Sequence, residues 1–227
     1  MKNFEVRTKI YFGDDALARL AALQATRVLV VSDPFVVSSG LIRLVTDQLE
    51  RAKIPYTVYK DVVPDPPLGK VIDGVRAAIS AMPDCIVAVG GGSAIDLSKS
   101  VRKFAGQVDP TFRPRLVCIP TTSGTGSEVT SFAVITDPET NVKIPLSEAD
   151  MTPDEAILDV EMVKSVPPQV TADTGMDVLT HAIEAYVSIN NNEFSGALAE
   201  KAVEICGQFL LRSYASNEDT HARRKMH

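Results

Sequence analysis

Apolar positions along this chain alternate between two periods. Residues 27–33, Arg-Val-Leu-Val-Val-Ser-Asp, form a short β-branched run, and within 40–52 the apolar Leu41, Leu44, Val45 and Leu49 recur at helical spacing. The pairing repeats at 56–59 followed by 68–81, and at 85–89 followed by 93–105, while 116–119 supplies a further strand. Strand and helix alternating in this way predict an α/β fold, a parallel sheet covered by helices on both faces. Residues 130–136 and 142–145, separated by Asp137-Pro-Glu-Thr-Asn141, read as a β-hairpin appended to that sheet, and 156–158 as one more strand.

The texture changes after Val166-Pro167-Pro168. Beyond it the chain reads as helix over 172–188, over 195–213, and again from a charged start near Glu218. We therefore expect an α/β domain over 1–165 and the start of an all-α domain over 166–227. In 217–227 the capping acids come first and the basic residues after, which is how a helix begins. The helical domain is expected to be incomplete. No repeat of solenoid length is visible.

Composition narrows the functional classes. The 227 residues carry 23 Lys and Arg against 29 Asp and Glu, a formal net charge of −6, and 45% are hydrophobic. Without a Lys/Arg block there is no basic footprint for nucleic acid. The longest uncharged apolar stretch, 85–95, is too short to span a bilayer and holds three glycines, and the first residues lack a signal-peptide apolar region. These features predict no membrane partner and a cytoplasmic location. Cys85, Cys118 and Cys206 have no metal-ligand spacing and two lie in Val/Ile runs, so they are expected to be buried, reduced thiols.

Three segments carry chemistry. Gly90-Gly91-Gly92-Ser93-Ala94-Ile95-Asp96 follows the apolar strand at 85–89 and opens the helix that contains Lys99. Glycines at such a turn let the backbone approach a phosphate, and the helix start offers free N–H groups and the positive end of its dipole. The spacing is not the GxGxxG fingerprint, and a tight connection is the competing reading. Pro120-Thr121-Thr122-Ser123-Gly124-Thr125-Gly126-Ser127-Glu128 is a second small, hydroxyl-rich loop at a strand end, so the two loops can face one ligand. Asp33 also ends a strand, where its carboxylate can bind an adenosine ribose or serve the turn before Pro34. Asp177 and His181 are i and i+4, so both emerge from one helix face, with Leu179, Ala182, Ile183 and Tyr186 expected to pack on the other. They suit either a surface pair or a metal, which would need one or two further ligands. His221 and His227, in the polar tail, are expected to be solvated.

Taken together, these segments resemble the iron-dependent (group III) alcohol dehydrogenase family. The matching motifs are Gly90-Gly91-Gly92-Ser93-x-x-Asp96-x-x-Lys99, Pro120-Thr121-Thr122-Ser123-Gly124-Thr125-Gly126-Ser127-Glu128-Val129-Thr130, and Thr174-Gly175-Met176-Asp177-x-Leu179-Thr180-His181-Ala182-Ile183-Glu184-Ala185-Tyr186. Within the family, 166–181 and 197–202 look similar to the propanol dehydrogenases of propanediol utilisation, which also brings a bacterial microcompartment into view as a location. The resemblance implies a dinucleotide-binding domain and an all-α domain, NAD, and a divalent iron, with zinc as the alternative. It implies Asp177 and His181 as metal ligands, with the remaining two histidines supplied by sequence following position 227. It implies Gly91, Gly92, Ser93, Thr121, Thr122 and Thr125 as cofactor contacts, Asp33 at the adenosine ribose, and Lys143 at the nicotinamide-side ribose. Asp65, in Val63-Pro-Asp-Pro-Pro67, matches another cofactor contact at which relatives carry Asn.

The implied activity is a metal-dependent oxidation of short primary alcohols such as 1-propanol or ethanol, and the reverse aldehyde reduction, with no side chain acting as a nucleophile. Helix faces left uncovered in a partial all-α domain imply a homo-oligomer. Two other readings stay open: a glycerol-dehydrogenase-like or dehydroquinate-synthase-like enzyme, and a catalytically silent nucleotide-binding or assembly module.

Overall fold

The computed structural model describes residues 3–227. The chain divides into two compact units. One holds Arg7–Pro120 and Ser127–Leu158; the other holds residues 3–6, Thr121–Gly126 and Asp159–His227.

In the first unit the order is β1 (Lys9–Phe12), β2 (Val28–Ser32), α1 (Pro34–Ser38), α2 (Arg43–Arg51), β3 (Tyr56–Tyr59), α3 (Leu68–Ala81), β4 (Cys85–Gly90), α4 (Gly92–Val108), β5 (Arg115–Pro120), β6 (Phe132–Thr136), β7 (Lys143–Ser147) and β8 (Glu155–Leu158). Six strands form one sheet in the order β1-β8-β5-β4-β2-β3, every pair parallel. All residues of β2 and β4 are buried, which is why both read as unbroken apolar runs rather than alternating ones. Ile86, Ala88, Leu116 and Cys118 pack against Ile95, Leu97 and Val101 of α4. At Gly74 of α3 a Cβ would lie 2.5 Å from Val101 Cγ2, so a glycine sets the close approach of α3 to α4.

The topology places a crevice. From β2 the chain passes to β3 on one side, and from β4 to β5 on the other, so connections diverge at the carboxyl ends of β2 and β4. Ligands of open parallel sheets bind at such a switch point. Ser32 pairs with Val89 and Gly90 with Pro120, so the three strand ends are in line.

The hairpin forms, with Phe132–Thr136 antiparallel to Lys143–Ser147, but as a separate two-stranded sheet rather than an extension of the main one. β1 and β3 occupy the main sheet's edges, and Pro145 denies β7 a ladder donor. β1 itself, Lys-Ile-Tyr-Phe, has no β-branched run to announce it.

In the second unit α5 (Pro168–Val187), α6 (Glu193–Ala215) and α7 (Thr220–Met226) follow one another. α5 starts four residues before the apolar pattern suggests, because Pro168 is tolerated in the first turn. Asn192 and Ser195 form a capping box on α6, and Asp219 caps α7 through the Ala222 N–H. Phe4 stacks on Phe194 with ring centroids 5.5 Å apart. The Arg223 guanidinium is buried and donates to the carbonyls of Val163, Val166 and Ser213, stapling α6, α7 and the segment before α5. Ala182 is buried, but Ile183 and Tyr186 are half exposed, as are Leu198 and Phe194, and Leu211 is 78% exposed. The apolar side of α5 is therefore only partly packed.

The three cysteines are free and buried, and burial pushes their thiols up. Among the described residues no helix is long and apolar enough to cross a membrane.

Candidate active site

The glycine turn sits at the switch point. Gly90 has φ +155°, a conformation that L side chains rarely adopt, and a Cβ there would stand 2.7 Å from Ala94 Cβ and 3.2 Å from Asp33 Oδ2. Gly91 is the N-cap of α4 and offers no side-chain oxygen to the first-turn amides, a helix start whose N–H groups suit an anion. A helix of 17 residues brings its dipole to the same point.

Around this turn the structure assembles four of the residues singled out from the sequence. Asp33 serves the turn reading: its Oδ1 caps α1 by accepting from the Val36 N–H at 2.9 Å. Its Oδ2 lies beside Gly90 at the switch point. Asp65 adopts a left-handed conformation, φ +48°, and its N–H donates to Ser93 Oγ at 3.3 Å. Lys143 reaches from β7 to within 2.8 Å of Asp65 Oδ1. Both side chains are exposed, so the pair is labile and adds little stability.

One buried cluster carries residues to which sequence reasoning gave no role. Lys99 on α4 is fully buried, and its ammonium donates to Ser127 Oγ (2.9 Å), Thr130 Oγ1 (3.4 Å) and Phe132 O (2.6 Å). Ser127 Oγ in turn donates to Asp96 Oδ1 at 2.5 Å, while Asp96 Oδ2 accepts the Val134 N–H at 2.9 Å. Burial lowers the Lys99 pKa, opposed by the Asp96 charge, and burial raises that of Asp96, opposed by its Ser127 and Val134 donors. The signal was present: an Asp-x-x-Lys pair at i, i+3 in a helix whose flanking Leu97 and Val101 are core residues.

The hydroxyl-rich loop Thr121–Gly126 follows β5 and belongs to the helical unit. Thr121 is buried, Thr122 half-buried and Thr125 exposed. Gly124 is required: a Cβ there would stand 2.8 Å from Thr174 Cβ and 3.1 Å from its carbonyl. Ser123 Oγ lies 3.2 Å from His227 Nδ1. His227 is thus packed rather than solvated. Its Nε2 is sealed without a partner, and burial lowers its pKa to about 4. His221 is exposed, edge-on to Phe209, as its polar surroundings suggest.

On α5, Asp177 Oδ1 and His181 Nε2 stand 3.8 Å apart, with side chains 41% and 53% exposed. One carboxylate and one imidazole, one turn apart and open to solvent, can meet on a single ion, and this donor set suits iron(II) or zinc. The described residues hold no cluster of three His, Cys, Asp or Glu that could bind a metal. The pair fits a metal in part, as two ligands.

The sequence profile of the family described as iron-containing alcohol dehydrogenase matches residues 7–160, and that of the C-terminal region of the Fe-containing alcohol dehydrogenase family matches 171–227. The chain belongs to the iron-containing alcohol dehydrogenase family. It is 43% identical over its whole length to 1-propanol dehydrogenase PduQ of Citrobacter freundii, covering 61% of that protein, and 37% identical to NADPH-dependent butanol dehydrogenase of Clostridium saccharobutylicum, covering 62%. Its fold matches the NAD+ complex of sulfoacetaldehyde reductase from Bifidobacterium kashiwanohense with a TM-score of 0.93 at 29% identity, covering all of this chain and 64% of that one. The chain therefore spans about three fifths of the length of each of these three relatives.

Proposed function

We propose that this chain is the cofactor-binding and partial metal-binding part of an NAD- and metal-dependent alcohol dehydrogenase acting on short primary alcohols and aldehydes, 1-propanol or ethanol among them. The observation that carries the reading is the convergence of Asp33, Gly90 and the uncapped start of α4 at one switch point. In this reading Gly91, Gly92 and Ser93 receive the pyrophosphate, Asp33 the adenosine ribose and Lys143 the nicotinamide-side ribose, and Asp65 is another cofactor contact. Thr121, Thr122 and Thr125 are further cofactor contacts. The domain boundary near 165 is part of the same proposal.

Asp177 and His181 would hold the metal, iron first and zinc as the alternative. A divalent ion bound there supplies Lewis acidity toward the alcohol or carbonyl oxygen, and NAD supplies the hydride acceptor. The protein's own residues bind and orient. The Asp177 carboxylate brings negative charge to the ion, and the His181 imidazole offers a lone pair only when unprotonated. Asp33 excludes a 2′-phosphate by charge, and Lys143, paired with Asp65, offers donors to the nicotinamide-side ribose. No side chain forms a covalent bond to substrate.

Exposed Ile183, Tyr186, Leu198 and Leu211 support self-association, which sedimentation at rising concentration reads directly. The experiment on activity compares NADH-dependent propanal reduction, with iron added anaerobically, between this chain and a version extended to the length of its relatives. We expect turnover in the extended protein and its loss on Asp177→Ala. Turnover surviving that substitution contradicts the metal assignment.

A further inference from the structure

A fully buried ammonium needs a reason, because an apolar residue of similar size would fill the same volume without the cost of desolvating a charge. Lys99 stands two turns along α4 from the glycine seat. Its three acceptors, Ser127 Oγ, Thr130 Oγ1 and Phe132 O, lie on the segment where the chain leaves the Thr121–Gly126 loop and enters β6. Asp96, one turn earlier on α4, binds the same segment at Ser127 Oγ and the Val134 N–H. Two helix side chains thus pin one stretch at four residues, and Ser127 is held from both sides. A hydrophobic contact at this place would permit sliding, whereas five directed hydrogen bonds specify one register.

We propose that Lys99 and Asp96 are positioning residues for the cofactor. They fix Ser127, and with it the exit of the hydroxyl-rich loop, relative to the helix whose first turn seats the pyrophosphate. This rests on the cofactor reading above and adds to it a device outside the residues that touch the ligand. A structural role alone would lower stability and leave affinity intact.

The test measures NADH binding to the chain by fluorescence titration beside thermal unfolding. Ser127→Ala removes the shared hydroxyl yet leaves Lys99 two acceptors and Asp96 the Val134 N–H, so the fold survives. We expect it to weaken NADH binding about tenfold, with Ser127→Thr restoring affinity. Lys99→Met should weaken it further. Leu49→Ala, a buried position on α2 away from the cluster, should lose at least as much thermal stability and keep the parent affinity. Amide exchange across 121–134 should quicken in Ser127→Ala and not in Leu49→Ala. Parent affinity in Ser127→Ala, or an equal loss in Leu49→Ala, overturns the inference. A parent chain that does not bind NADH overturns the cofactor reading, and the inference falls with it; exchange unchanged by Ser127→Ala shows separately that the cluster does not hold the loop exit.

Discussion

Asp33 and Gly90 lie side by side at the ends of neighbouring strands: one carboxylate oxygen caps α1 at 2.9 Å and the other stands 3.2 Å from where a Gly90 Cβ would be. A charge held there repels the 2′-phosphate of NADP. We expect NAD to bind more tightly than NADP by about 1–3 kcal/mol, or about 5-fold to 150-fold in Kd. Asp33→Ala should narrow that gap and cost about 1 kcal/mol of stability from the lost cap. Paired titrations with NADH and NADPH decide it, and equal affinities in the parent refute it. The Clostridium relative named as NADPH-dependent makes the comparison informative.

Gly90 and Gly91 should fail differently. Gly90→Ala places a Cβ 2.7 Å from Ala94 on a backbone with φ +155°, so we expect a loss of about 2 kcal/mol in unfolding free energy. Gly91 has φ −75°, outside the left-handed region, so Gly91→Val should cost only about 1 kcal/mol, from a poorer N-cap residue, and should block NADH binding by filling the pyrophosphate seat. Denaturant melts beside NADH titrations separate the two effects.

Two donors 3.8 Å apart leave a divalent ion mostly hydrated, so this chain should bind cobalt(II) or zinc weakly and release it to a mild chelator. Anaerobic cobalt titration followed by its visible spectrum should show a weak site that His181→Ala abolishes. A tight site unaffected by that change contradicts the assignment.

The helical unit should be acid-sensitive through His227. Burial lowers its pKa from 6.5 to about 4, so between those values the unfolded chain binds a proton that the folded one does not. The stability from this group is present above pH 6.5 and lost as pH falls toward 4, by about 3 kcal/mol at most. His227→Phe should flatten the unfolding-versus-pH curve relative to the parent in that window. Parallel curves would show that the ring is accessible in the folded state.

Much of this was legible in the residues themselves. The buried parallel strands appear as unbroken β-branched runs, and the span of α3 follows directly from its apolar spacing at Val71, Val75 and Ala78. β1 gives little signal because its apolar Ile10-Tyr11-Phe12 is only three residues long and its side chains are largely exposed at the sheet edge. The hairpin's independence escaped because pairing partners are set by which sheet edges remain free. Asp33, Asp65, Ser93 and Lys143 come from motifs spread over more than a hundred positions, and only folding brings Lys143 to Asp65. The Lys99 cluster had a motif but no evident role, since the hydroxyls that justify a buried ammonium come from a different segment. His227 reads as solvated from its polar neighbours, since polarity along the sequence does not reveal what packs across it.

A crystal structure of the chain grown with NAD+ shows whether the switch point between β2 and β4 is the NAD seat. We expect the pyrophosphate within hydrogen-bond distance of the Gly92 and Ser93 amides, and an adenosine ribose hydroxyl on Asp33 Oδ2. NAD+ bound elsewhere, or turned so that Asp33 faces no ribose, would contradict it.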